Sequence, residues 1–164
     1  MSEPARDGAV SEPARGLEIG AAAPDFSSRN QHGQAVSLSD LRGAPSVLIF
    51  YPWAFSSICT GELRDVRERW QRFDELGARV VAISCDAMFT LRAYADAEGL
   101  TFDLLTDHWP HGGIARAYGV FDEVAGCALR GSFLLDADGV VRWSVVNGIG
   151  EARDLEEHLA ALAA

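Results

Sequence analysis

Cys59 lies between an apolar run that ends at Tyr51 and a stretch in which Leu63, Val66, Trp70 and Phe73 recur at steps of three and four. That pattern places the thiol at or near the first turn of a helix. Backbone N–H groups without helical partners and the positive end of the helix dipole favour a thiolate there, and the thiolate is the nucleophilic form of cysteine. Ser56, three residues earlier, carries a hydroxyl able to donate to the sulfur or to an oxygen of an incoming substrate, and Ser57 is placed to cap the helix. Taken alone, the position also suits a small buried residue without chemistry. Other chemistries find less support. His108 and His111 straddle Trp109-Pro110, and His32 and His158 have no cysteine or carboxylate at ligand spacing, so no metal site is expected. All 14 basic residues are Arg, which removes Schiff-base catalysis by lysine. No hydrolase signature surrounds Cys59.

The wider composition narrows the setting. A chain of 164 residues, 48% hydrophobic and 23% charged, is one globular domain. A net charge of −10 opposes the basic footprint that nucleic acid or an anionic membrane requires, so neither is expected as a partner. The longest apolar run is broken by Pro52 and is too short for a membrane span. The start of the chain is acidic, polar and proline-bearing, unlike a secretory signal. Three cysteines, Cys59, Cys85 and Cys127, include no CxxC pair, which argues against a disulfide scaffold and points to a reducing cytoplasm. Residues 1–16 contain the string Ser-Glu-Pro-Ala-Arg twice, and such a string buries no apolar area. They are expected to form a disordered tail ahead of a folded domain over residues 17–164.

Within that domain, short strands at 25–28 and 36–38 flank the turn-forming Asn30-Gln31-His32-Gly33. Residues 46–51 are continuously apolar, as in a strand covered on both faces. A helix is predicted from Cys59 to about Leu76, then a strand over 80–83, a helix over 89–97 closed by Gly99, and a strand over 102–105. A short helix over 114–118 precedes strands at 132–135 and 140–146, joined by Asp136-Ala137-Asp138-Gly139. Leu155, Leu159 and Leu162 make the stripe of a last helix. This order predicts an α/β chain of thioredoxin-like fold, with a mixed central sheet and helices on both faces.

Pro52-x-x-x-Ser56-x-x-Cys59 resembles the peroxiredoxin signature, and Leu129-Arg130-Gly131-Ser132-Phe133 is similar to that family's late-strand arginine segment. The likeness extends from about Leu17 to the last helix. Ser57-Ile58-Cys59-Thr60-Gly61-Glu62-Leu63, Asp107-His108-Trp109-Pro110-His111-Gly112 and Ala117-Tyr118-Gly119-Val120-Phe121 most resemble the alkyl hydroperoxide reductase E group. The resemblance implies that Cys59 attacks a peroxide and that Ser56 and Arg130 hold it. It further implies that Pro52 shields the pocket from water and that Glu62 orients the arginine. The two common places for a resolving cysteine are vacant here. One holds Arg64, and no cysteine follows Cys127. A one-cysteine mechanism is therefore implied, without a cofactor.

The same resemblance implies an external thiol reductant: mycothiol, a glutaredoxin-like mycoredoxin or thioredoxin. Cys127, three residues before Arg130, is the candidate for an internal resolving cysteine, while Cys85 reads as a spectator at a strand end. A homodimer is implied too, with Trp53 and Phe55 either in the contact or lining an apolar mouth for organic hydroperoxides. A peroxide sensor or holdase would share the sulfenic acid and differ in lacking turnover. A thioredoxin-fold binding module would leave Cys59 no more reactive than a free thiol.

Overall fold

The computed structural model describes residues 15–164. It opens with a hairpin of β1 (Ser27–Arg29) and β2 (Ala35–Ser37), followed by a 3₁₀ turn over Leu38–Leu41. β3 (Ser46–Phe50) leads through a loop to α1 (Ser57–Glu68) and the short α2 (Trp70–Glu75). β4 (Arg79–Ser84), α3 (Met88–Glu98), β5 (Asp103–Thr106) and α4 (Gly113–Ala117) continue the alternation. The two-residue strands β6 (Phe121–Asp122) and β7 (Cys127–Ala128) pair with each other, and β8 (Arg130–Leu135), β9 (Val141–Asn147) and α5 (Leu155–Ala163) complete the chain.

The central sheet has the order β5-β4-β3-β8-β9. β3 runs parallel to β4 and β4 to β5, whereas β8 is antiparallel to both β3 and β9. The mixed sheet is thus the expected one. β3 sits in its centre with all five residues buried, which is why its sequence shows no alternation. Its side chains still divide by the two-residue period of a strand. Val47 and Ile49 pack under α1, α2, α3 and α5 with Leu63, Val66, Phe73, Leu91 and Leu159. Leu48 and Phe50 pack on the opposite face with Phe26, Leu38, Tyr118 and Phe133.

The predicted single helix to Leu76 is interrupted at Arg69 (φ −98°, ψ 11°). The break leaves the apolar spacing readable as one helix, because both segments turn their apolar residues to the sheet: Phe73 is buried and Trp70 stacks on Phe102 at 5.7 Å. β6 and β7 escape a sequence reading because two residues show no period. Gly99 closes α3 in the left-handed region (φ +63°), as its position predicts. Residues 1–14 of the expected tail lie outside the described residues. Gly16, read as part of that tail, instead donates its N–H to the Gly119 carbonyl at 2.9 Å. A Cβ on Gly119 would stand 2.7 Å from the Gly16 carbonyl oxygen, so this approach requires glycine. The anchored chain therefore starts before Leu17. Among the described residues no helix is long and apolar enough to cross a membrane.

Candidate active site

The loop after β3 carries the cysteine to the carboxyl end of the parallel strands, where α/β proteins place their sites. Tyr51 extends the ladder by one bond to the Ile83 carbonyl (3.0 Å), and the buried Pro52 ends it, having no N–H to donate. Asp86, just past β4, fixes the loop: its Oδ2 accepts from the Ala54 N–H at 2.8 Å and from the Ser84 hydroxyl at 2.7 Å. Phe55 takes a left-handed conformation (φ 67°), and its ring packs on Tyr94 at a centroid distance of 4.9 Å. The Thr60 N–H to Ser56 carbonyl bond (2.9 Å) starts the helical ladder. The N–H groups of Ser57, Ile58 and Cys59 thus lie ahead of it, at the positive end of α1. Cys59 itself is fully buried.

Arg130 starts β8, and the strand period puts it and Ser132 on the face that α1 covers. Its Nη1 donates to Cys59 Sγ at 3.2 Å and to Glu62 Oε1 at 2.6 Å, and its Nε donates to the Ile149 carbonyl at 2.6 Å. Glu62 lies three residues after Cys59, on the same side of α1. A second guanidinium meets it: Arg153 Nε and backbone N–H donate to Glu62 Oε2 at 2.9 and 2.8 Å, and Nη2 donates to Oε1 at 2.9 Å. Arg153 Nη1 is held by the Phe50 carbonyl (2.7 Å), the Gly131 carbonyl (2.9 Å) and the Ser132 hydroxyl (3.1 Å). Burial pushes the Glu62 carboxyl up, but hydrogen bonds and charge from Arg153, with the charge of Arg130, hold it below its ordinary value. Two buried guanidinium groups against one carboxylate leave one positive charge uncompensated, and Cys59 Sγ lies within reach of it. A buried charge without a partner is costly.

The structure thus brings Cys59, Arg130 and Glu62 together. It does not bring the Ser56 hydroxyl to the sulfur: Ser56 Oγ donates back to the Trp53 carbonyl at 2.8 Å. Ser56 rather than Ser57 is the cap residue, and its side chain makes no capping hydrogen bond, because the hydroxyl is committed to the loop. Cys127 is buried in β7 and Cys85 is buried after β4, and all three cysteines are free. Burial first, then the charge of Asp107, pushes the Cys85 thiol up to about 12. Burial, then Asp122, pushes that of Cys127 up to about 11. The sequence reading missed Arg153. It stands outside every motif, and its place one residue before the Asp154 cap of α5 is the only local signal. Among the described residues no cluster of three His, Cys, Asp or Glu is placed to hold a metal.

Residues 19–144 match the model of the AhpC/TSA family. The chain is 44% identical over 149 residues to alkyl hydroperoxide reductase E of Mycobacterium bovis, covering 90% of this chain and 97% of that protein. It is 35% identical over 133 residues to alkyl hydroperoxide reductase C of Staphylococcus aureus, covering 79% and 69%. Among solved structures, Enterococcus faecalis AhpC superposes with a TM-score of 0.82 at 33% identity, covering 88% of this chain and 90% of that one. The peroxidoxin BcpB of Mycobacterium tuberculosis gives 0.81 at 29% identity, covering 90% and 97%. With the family model spanning most of the folded chain, and a relative this similar over nearly its whole length, this protein belongs to the AhpC/TSA family of peroxiredoxins.

Proposed function

We propose that Cys59 is the nucleophile of this thiol-dependent peroxidase, acting on hydrogen peroxide or organic hydroperoxides. The observation that carries this reading is the Arg130 guanidinium 3.2 Å from Cys59 Sγ. A thiolate electron pair forms the S–O bond to one peroxide oxygen while the O–O bond breaks, and the departing oxygen takes a proton to leave as water or alcohol. Arg130 and the Cys59 N–H supply donors where negative charge develops. Ser56, its proton committed to Trp53, offers lone pairs to the peroxide O–H, and Pro52 closes the pocket beside them.

Cys59 becomes a sulfenic acid. An external thiol attacks that sulfur, releasing water and forming a mixed disulfide, and a second thiol completes the reduction. A low-molecular-weight thiol such as mycothiol, a mycoredoxin or thioredoxin fits this step, in a cytoplasmic setting. Cys127 is a poorer resolving group than an external thiol, because its buried thiol is held in the neutral form. Trp53 and Phe55, exposed beside the site, suit the contact of a homodimer. Steady-state peroxide consumption with each reductant tests the reading. Many turnovers with at least one donor support it, and one stoichiometric reaction with none indicates a sensor.

A further inference from the structure

Behind Arg153 the polar chain continues to a residue with no place in the reaction just described. His158, on α5, is buried, and its Nε2 lies 2.7 Å from Ser132 Oγ while its Nδ1 lies 2.9 Å from the Asp154 carbonyl. A carbonyl only accepts, so Nδ1 carries the hydrogen. Burial pushes the imidazole down to about 4, outweighing the hydrogen bond to the Asp154 carbonyl, which acts the other way, and the positive charge of Arg153 adds to the lowering. The ring is therefore neutral near pH 7, and Nε2 is an acceptor. The Ser132 hydroxyl must then donate to His158, which turns its lone pairs to the Arg153 Nη1 donor at 3.1 Å. The Trp143 ring from β9 stands edge-on to the imidazole at 4.9 Å and limits its rotation.

We propose that His158 is a positioning residue for peroxide reduction: it fixes the direction of the Ser132 hydroxyl, which seats Arg153 on Glu62 and so holds Arg130 at the Cys59 sulfur. Ser132 is fully buried, and among the described residues Arg153 and His158 are the two partners of its hydroxyl. With His158 replaced by an apolar side chain, the hydroxyl proton loses its acceptor and the Ser132 oxygen loses its fixed orientation toward Arg153. Glu62 is shared by both guanidinium groups, so a shift of Arg153 is passed to Arg130 through one carboxylate.

The inference rests on Cys59 being the reacting thiol. It is tested on the full chain by two rates at pH 7: that of hydrogen peroxide with reduced protein, which needs Arg130 in place, and that of iodoacetamide, which needs the thiolate alone. His158→Phe is expected to lower the ratio of the peroxide rate to the iodoacetamide rate about 10-fold, the scale set by small misplacements of a catalytic group. His158→Gln, whose amide oxygen can accept from Ser132, is expected to restore the ratio to within about 3-fold of the native chain. Ser132→Ala, which cuts the link and keeps the imidazole, is expected to behave as His158→Phe, and it carries the test if that variant does not fold. An unchanged ratio in His158→Phe or Ser132→Ala, or no recovery in His158→Gln, overturns the proposal. A native peroxide reaction that survives Cys59→Ser would instead overturn the Cys59 reading, before any His158 variant is compared.

Discussion

Cys59 and the pair Cys85 and Cys127 are equally hidden from solvent, yet the structure gives them opposite surroundings. Cys59 stands at the start of a helix and receives a guanidinium hydrogen bond from a cluster that holds two cations and one carboxylate. Cys85 and Cys127 have carboxylates as their main charged neighbours, and burial pushes both thiols up. Exposure therefore does not decide which cysteine reacts. Under the proposed assignment, the surplus positive charge of the cluster of Arg130, Arg153 and Glu62 singles out Cys59, since a nearby cation favours a thiolate that burial alone would penalise.

Three kinds of measurement break or sharpen that contrast. The largest effect is expected for Cys59→Ser, which should slow the stopped-flow reaction with hydrogen peroxide by at least about 10³-fold. Removing the cation while keeping the thiol, by Arg130→Gln, should cost about 10²-fold in the same rate, the scale of one lost donor to a developing oxyanion. A rate close to native in that variant would mean that the helix terminus alone activates the sulfur. Replacing the silent thiols by Cys85→Ala and Cys127→Ala should leave the rate within about 2-fold.

The pH dependence of stability separates the same regions. The folded value of His158 lies at about 4, below its ordinary 6.5. Unfolded chains thus bind the extra proton first, and stability falls as pH drops from about 6.5 through 4, by up to about 3 kcal/mol. Glu62, held below its ordinary value, adds to the loss at the acid end. The raised values of Cys85 and Cys127 act at the other end: stability present below their unfolded value of 9.0 is lost as pH rises toward about 12 for Cys85 and about 11 for Cys127. Denaturant melts across pH should show His158→Gln with a flatter acid limb, and the Cys85→Ala, Cys127→Ala pair with a flatter alkaline one.

Legibility in the sequence followed periodicity and local motifs. The central strand, α3 with its Gly99 cap and the hairpin at residues 136–139 each carry a pattern within one short window, and the structure has all three. The break at Arg69 does not, because no Gly or Pro marks it and the apolar spacing continues across it. At the site, Cys59 and Arg130 sit in recognisable segments. Arg153 and His158 do not, since what brings them to Glu62 and Ser132 is the packing of α5 over β8, a tertiary event with no local signature. Ser56 shows the reverse failure: its position is readable, but the direction of its hydroxyl is set by the Trp53 carbonyl.

The most direct test of the central claim is the intact mass of the reduced protein after about one equivalent of hydrogen peroxide, with and without dimedone, for the native chain and Cys59→Ser. The account predicts a single dimedone adduct that disappears in Cys59→Ser, and no loss of two hydrogens when dimedone is left out. A rapid two-hydrogen loss that requires Cys127 or Cys85 would contradict the one-cysteine account, and an adduct that survives in Cys59→Ser would contradict the assignment of the nucleophile.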